Sequence, residues 1–229
     1  MKRFFIILAS VLAITSIANA QSEDLTNRIQ SDNEQELYNI ARELYMGTQG
    51  KEKIKELAIK IWTILANEGY PPAQYTMGEC FFRGDVVDKD YSKATEYFKL
   101  GAENNDPNAQ YMLALCLYSG TGVDKNLAKA ADYFSKASEN GHLDAPYYLA
   151  NCYYNGEGVP QNYKTAVEWY KIAAEKGFIT QIEALKQLAK CYENGEGVKK
   201  DLNKARLLMK EVEELENPKV KMGEFNYKQ

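Results

Sequence analysis

Residues 109–141 read AQYMLALCLYSGTGVDKNLAKAADYFSKASENG, and residues 145–177 read APYYLANCYYNGEGVPQNYKTAVEWYKIAAEKG. Laid over one another with a shift of 36, the two stretches keep a leading alanine, a Leu-Ala pair or its Leu-Ala-Leu equivalent, a cysteine, a Gly-x-Gly-Val turn, and an alanine followed by two adjacent aromatics. The shift recurs outside them. The four cysteines stand at Cys80, Cys116, Cys152 and Cys191, spaced 36, 36 and 39. A fixed period of this length marks stacked helical modules, because one helix pair cannot bury both of its apolar faces and must lean on the next.

Each cysteine segment runs into a glycine turn: Gly84-Asp85-Val86-Val87, Gly120-Thr121-Gly122-Val123, Gly156-Glu157-Gly158-Val159 and Gly195-Glu196-Gly197-Val198. Asp90, Asn126, Asn162 and Asp201 follow, short polar residues suited to capping the first amides of a helix. Ala94, Ala130, Ala166 and Ala205 then mark a close-packed face. After them come Tyr97-Phe98, Tyr133-Phe134, Trp169-Tyr170 and, in the last module, Leu208-Met209. Asn105, Gly141 and Gly177 are placed to close the second helices in the left-handed conformation. The third interval is 39 because Phe178-Ile179-Thr180-Gln181-Ile182-Glu183 lengthens one connection. Upstream, Ala58, Ile61-Trp62, Ala66 and Gly69 sit one period before Ala94, Tyr97-Phe98, Ala102 and Asn105. The expected fold class is all-α, a superhelical α-α solenoid of about five helix pairs. Helices are expected at 33–46, 51–68, 72–83, 90–104, 108–119, 126–140, 144–155, 162–176, 182–194 and 201–216. The expected repeats are 37–72, 73–108, 109–144, 145–183 and 184–216, within a solenoid spanning 33–216.

The ends read differently. Lys2 and Arg3, an apolar run from Phe4 to Ile17 and the exit Ala18-Asn19-Ala20 form a secretory signal peptide over residues 1–20. Its apolar run is shorter than the roughly 20 residues of a spanning helix. Gln21, not a cysteine, follows the expected cut, so no lipid-bearing thiol and no membrane anchor are expected. Residues 21–32 are a lead, and 217–229 a polar tail. The expected location is periplasmic or secreted, after cleavage near Ala20. Lys plus Arg number 28 against 32 Asp plus Glu, interspersed rather than gathered, which argues against a nucleic-acid partner.

The aligned modules resemble the Sel-one-like repeat, a relative of the tetratricopeptide repeat, over about residues 35–212. The resemblance implies a non-enzymatic adaptor or scaffold whose curved inner surface holds a protein or peptide. For an exported bacterial member it implies envelope regulation, virulence or effector immunity. A cysteine-rich branch of the family carries two cysteines per repeat, bridged between paired helices, and is associated with penicillin binding; this chain has one per repeat. Equivalent positions on neighbouring helices lie roughly 8–10 Å apart, beyond the reach of about 7 Å between Cα atoms that a disulfide allows. Cys80, Cys116, Cys152 and Cys191 are therefore read as small core residues.

On a helical wheel Tyr75, Glu79 and Phe82 fall opposite Met77, Cys80 and Phe81. The aligned sets are Tyr111, Leu115 and Tyr118, then Tyr147, Asn151 and Tyr154, with Arg83 beside the first. In related solenoids these positions line the concave face, so the resemblance implies a groove of repeated tyrosines, side chains that offer a rigid apolar area with a polar tip. No catalytic residue, cofactor or metal is expected. The one histidine, His142, lies in an inter-repeat turn with no nucleophile in register beside it. The partner is expected to be a protein or peptide, and the chain a monomer. The alternatives are an enzyme acting on the cell wall or a β-lactam, and a glycan-binding module using the same tyrosines.

Overall fold

A computed structural model of the chain describes residues 33–46 and 52–217; the expected signal peptide, the lead up to Asp32 and the tail from Pro218 lie outside them. All regular structure among the described residues is helical. The chain divides into two compact units, one ending at Asp124 and one beginning at Lys125. The first holds α1 (Glu34–Met46), α2 (Glu52–Asn67), α3 (Pro71–Arg83), α4 (Tyr91–Glu103) and α5 (Pro107–Ser119). The second holds α6 (Leu127–Glu139), α7 (Ala145–Asn155), α8 (Tyr163–Lys176), α9 (Gln181–Asn194) and α10 (Leu202–Glu216). These spans agree with the sequence reading to within two residues.

The boundaries follow from capping. Asp90, Asn126, Asn162 and Asp201 each accept from the backbone N–H three residues on, at 3.0, 3.0, 3.1 and 2.9 Å. Each such cap contributes about 1 kcal/mol to its helix. The first helix of each module ends where a turn glycine donates its N–H to the cysteine carbonyl four residues back: Gly84 to Cys80, Gly120 to Cys116, Gly195 to Cys191. The turn breaks its own pattern at Val86, which adopts φ 74° without being glycine. That conformation costs a residue with a Cβ roughly 1–2 kcal/mol.

In the first unit each helix packs on its neighbours in the chain, and α3 also touches α5. The core begins with Leu37, Ile40 and Ala41 of α1, continues through Ile61, Trp62 and Leu65 of α2, and reaches Met77 and Cys80 of α3. Phe98 of α4 is wholly buried. It fits because Gly78 faces it, and a Cβ there would stand 2.5 Å from the ring. Two buried glutamines repeat one joint: Gln74 donates to the Ala66 carbonyl at 3.1 Å and Gln110 to that of Ala102 at 3.3 Å. Each ties the first helix of a module to the end of the preceding helix.

In the second unit the same neighbour-on-neighbour packing joins α6 through α10. Ala150, Ala166, Val167, Tyr170, Leu188 and Cys191 form a core there. Gly177 departs from expectation: its φ is −59°, not left-handed. The inserted residues explain the difference, because Phe178, Ile179 and Thr180 form a turn whose three N–H groups, with the Thr180 hydroxyl, all point at the Asp144 carboxylate.

Candidate functional site on the first helices

Two of the expected surface residues, Tyr75 and Phe82, share a flank of α3, and both rings also lean on α4. The Tyr75 ring lies 6.2 Å from Phe98; Phe82 lies 5.1 Å from Tyr91 and 6.3 Å from Phe98. Burial, then the Glu79 charge, pushes the Tyr75 phenol up to about 12. Arg83 is exposed and pairs with Glu79 at 2.6 Å, one turn away. On α5, Tyr111, Leu115 and Tyr118 are likewise half-buried.

The second unit repeats the arrangement on α7. Tyr147 lies 6.1 Å from Tyr170 of α8, and Tyr154 lies 5.1 Å from Tyr163 and 6.2 Å from Tyr170. Asn151 has structural work of its own, since its Oδ1 accepts from the buried Tyr170 hydroxyl at 2.6 Å. Tyr154 donates to Glu196 at 2.7 Å, with the Lys190 ammonium 5.1 Å above its ring. The sequence reading set these residues on an outward face. The structure shows a flank in each unit: Tyr75 and Phe82, and likewise Tyr147 and Tyr154, seat one edge on the paired helix and stay partly accessible. Preorganised aromatic area of this kind serves recognition at low entropic cost.

All four cysteines are free and buried. Burial raises the thiols of Cys80 and Cys152 to about 12 and that of Cys191 to about 11, far from the thiolate a nucleophile requires. Among the described residues no group of His, Cys, Asp and Glu is arranged to hold a metal ion, and no helix is long and apolar enough to cross a membrane.

His142 is a helix cap. Its Nδ1 accepts from the N–H groups of Asp144 at 3.3 Å and Ala145 at 3.2 Å. One period earlier Asp106 does the same for Ala109 at 2.8 Å. The imidazole thus replaces a carboxylate at a repeated position, and it can accept only when neutral. Burial lowers its pKa below the ordinary 6.5, against a smaller opposing pull from Asp144. The unfolded chain then binds the proton more readily, so the stability His142 contributes is complete above pH 6.5 and is lost as the pH falls through the folded value. Thermal melts between pH 5 and 8 are expected to show the midpoint dropping on the acid side. His142→Asn, which keeps a capping acceptor but does not titrate, is expected to remove that drop.

The sequence reading missed a cavity of about 250 Å³ in the first unit, where Tyr38, Arg42 and Tyr45 of α1 and Trp62 of α2 meet Tyr75, Glu79 and Arg83 of α3. The signal was present as the i, i+4, i+7 spacing of Tyr38, Arg42 and Tyr45, on the helix where the repeat pattern is weakest.

The Sel1 repeat profile matches residues 71–106, 107–142, 143–178 and 182–211, leaving α1 and α2 outside. Among solved structures, the chain is similar to a Sel1 repeat protein from Oxalobacter formigenes, with 26% identity and a TM-score of 0.76 over 90% of this chain and 84% of that one. It is also similar to a protective antigen of uropathogenic Escherichia coli displaying an SLR fold, with 24% identity and a TM-score of 0.65. That likeness covers 84% of this chain, which spans 48% of the antigen's length. No protein of curated function matches the sequence significantly.

Proposed function

The chain belongs to the Sel1 repeat family, a scaffold of the kind that mediates protein–protein interaction, and from that premise we propose that it is an exported, non-enzymatic adaptor. It holds protein or peptide segments against the aromatic flanks of its first helices, in the first unit Tyr75 and Phe82 on α3 with Tyr111 and Tyr118 on α5, and in the second unit Tyr147 and Tyr154 on α7. The observation that carries this reading is the seating of Tyr75 and Phe82 on Phe98 and of Tyr147 and Tyr154 on Tyr170. Half-open aromatic rings recurring in step with the repeat suit docking, whereas the one imidazole is spent on a helix cap. The signal-like pattern of residues 1–20 supports a place in the periplasm or outside the cell, where envelope regulation, virulence or effector immunity would draw on such an adaptor.

The test is capture from the native envelope on immobilised chain, followed by calorimetry with each purified partner. Tyr111→Ala/Tyr118→Ala/Tyr147→Ala is expected to lower affinity at least about tenfold, the equivalent of 1.4 kcal/mol, while circular dichroism shows helix content retained. Equal recovery by both proteins would overturn the assignment. So would turnover of peptidoglycan fragments or a chromogenic β-lactam that disappears with His142→Ala.

A further inference from the structure

The cavity between α1, α2 and α3 has an unusual balance of polar groups. Four aromatic rings line it, those of Tyr38, Tyr45, Trp62 and Tyr75. Most of the polar tips are engaged: Tyr38 with the Thr76 hydroxyl at 2.9 Å, Tyr45 with Asp85, and Arg83 with Glu79. Lys55 reaches Asp85 at 3.7 Å and stands 5.0 Å over the Tyr45 ring. Both acids at the cavity therefore have a cationic partner.

Arg42 and Trp62 are among the donors left over. Arg42 is exposed and makes no ion pair or hydrogen bond with any described residue. Trp62 is 97% buried, and its Nε1–H has no hydrogen-bond partner among the described residues. The repeat register makes the second case pointed. Trp62 occupies the position of Tyr170, whose hydroxyl is satisfied by Asn151, but the residue standing where Asn151 would be is the exposed Glu43. An unsatisfied buried donor costs about 1–3 kcal/mol, and an unpaired guanidinium beside aromatic walls suits a carboxylate.

We infer that this cavity is the anchoring site of the docking surface in the first unit, and that its occupant is an acidic peptide segment that seats an apolar side chain on the aromatic walls and presents a carboxylate to Arg42. A volume of about 250 Å³ has room for a side chain. A peptide inserts one or two side chains and leaves the rest outside. The inference rests on the adaptor reading above and names the chemistry its partner must carry.

Calorimetry with synthetic probes tests it. The chain is titrated with acetyl-Gly-Phe-Glu-Gly-amide, with the same peptide carrying Gln or Lys for Glu, with acetyl-Gly-Phe bearing a free carboxylate, and with chitotriose as an uncharged glycan. Expected is saturable binding of the Glu peptide, at least about tenfold weaker binding of the Gln peptide, and none of the Lys peptide. The free-carboxylate probe decides whether the anion comes from a side chain or a chain end, and binding by either supports the site. Arg42→Gln is expected to bring the Glu peptide down to the Gln value. Equal affinity for the Glu and Gln peptides, no binding of either, an Arg42→Gln variant indistinguishable from the parent, or a preference for chitotriose would overturn it. A captured partner lost by the triple tyrosine variant but retained by Arg42→Gln would sink this inference alone and leave the adaptor reading standing.

Discussion

Replacing Gly158 by alanine is expected to cost about 3 kcal/mol or more of stability, combining backbone strain with overpacking. Gly158 is the second glycine of its turn, has φ 76°, and lies over the start of α6. A Cβ there would stand 2.1 Å from the Leu127 carbonyl oxygen and 2.3 Å from its carbon. These are backbone atoms at the head of a helix and have no rotamer by which to yield. The turn between α7 and α8 could accept the methyl only by lifting off α6. Gly141 separates the two contributions, because it has φ 90° with nothing within 4 Å of an added Cβ. Gly141→Ala should therefore lose only about 1–2 kcal/mol. Urea denaturation followed by circular dichroism would measure both. Similar losses for the two variants would show that close approach of turn to helix does not hold the modules in step.

The second large effect is expected at Asp144. Its Oδ1 accepts from Phe178 N at 3.1 Å, Ile179 N at 2.8 Å, Thr180 N at 2.9 Å and Thr180 Oγ1 at 3.0 Å. Burial by itself would raise this carboxyl, but the hydrogen bonds outweigh it and hold the pKa below the ordinary 3.8. Asp144→Ala strips the acceptor from the buried Thr180 and is expected to cost about 3 kcal/mol, with water serving the donors of the exposed Phe178 and Ile179. Asp144→Asn keeps a neutral acceptor and should lose roughly half as much. The folded pKa is depressed, so the contribution is present above the unfolded value and disappears as the pH falls through the folded one. Asp144→Asn should accordingly flatten the stability profile below about pH 4, a window separate from that of His142. An alanine variant as stable as the parent would remove this account of the turn.

The helix pairs were legible because the signals that set them are local. A cysteine carbonyl, a glycine turn and an Asp or Asn cap fall within a dozen residues, and their recurrence every 36 residues repeats the evidence. What the sequence hid depends on contacts between helices. A helical wheel places Tyr75 and Phe82 away from Met77 and Cys80, yet it cannot know that α4 approaches from that flank and takes one edge of each ring onto Phe98. Asn151 read as surface for the same reason. Asp144 gathers its donors from 34 to 36 residues away, so the inserted Phe178-Ile179-Thr180 looked like a longer loop and proved to be a tied turn. His142 was recognised as a turn residue, but its capping role emerges only when it is seen to stand where Asp106 stands.

Site-specific photocrosslinking reaches the central claim most directly. A photoreactive phenylalanine analogue is placed at Tyr111, on the aromatic flank of α5, and separately at Lys99, exposed on α4, and each chain is irradiated with the captured partner. The docking account predicts a covalent adduct from position 111 and none from position 99. Adducts from position 99 alone, or equal yields from both, would contradict it.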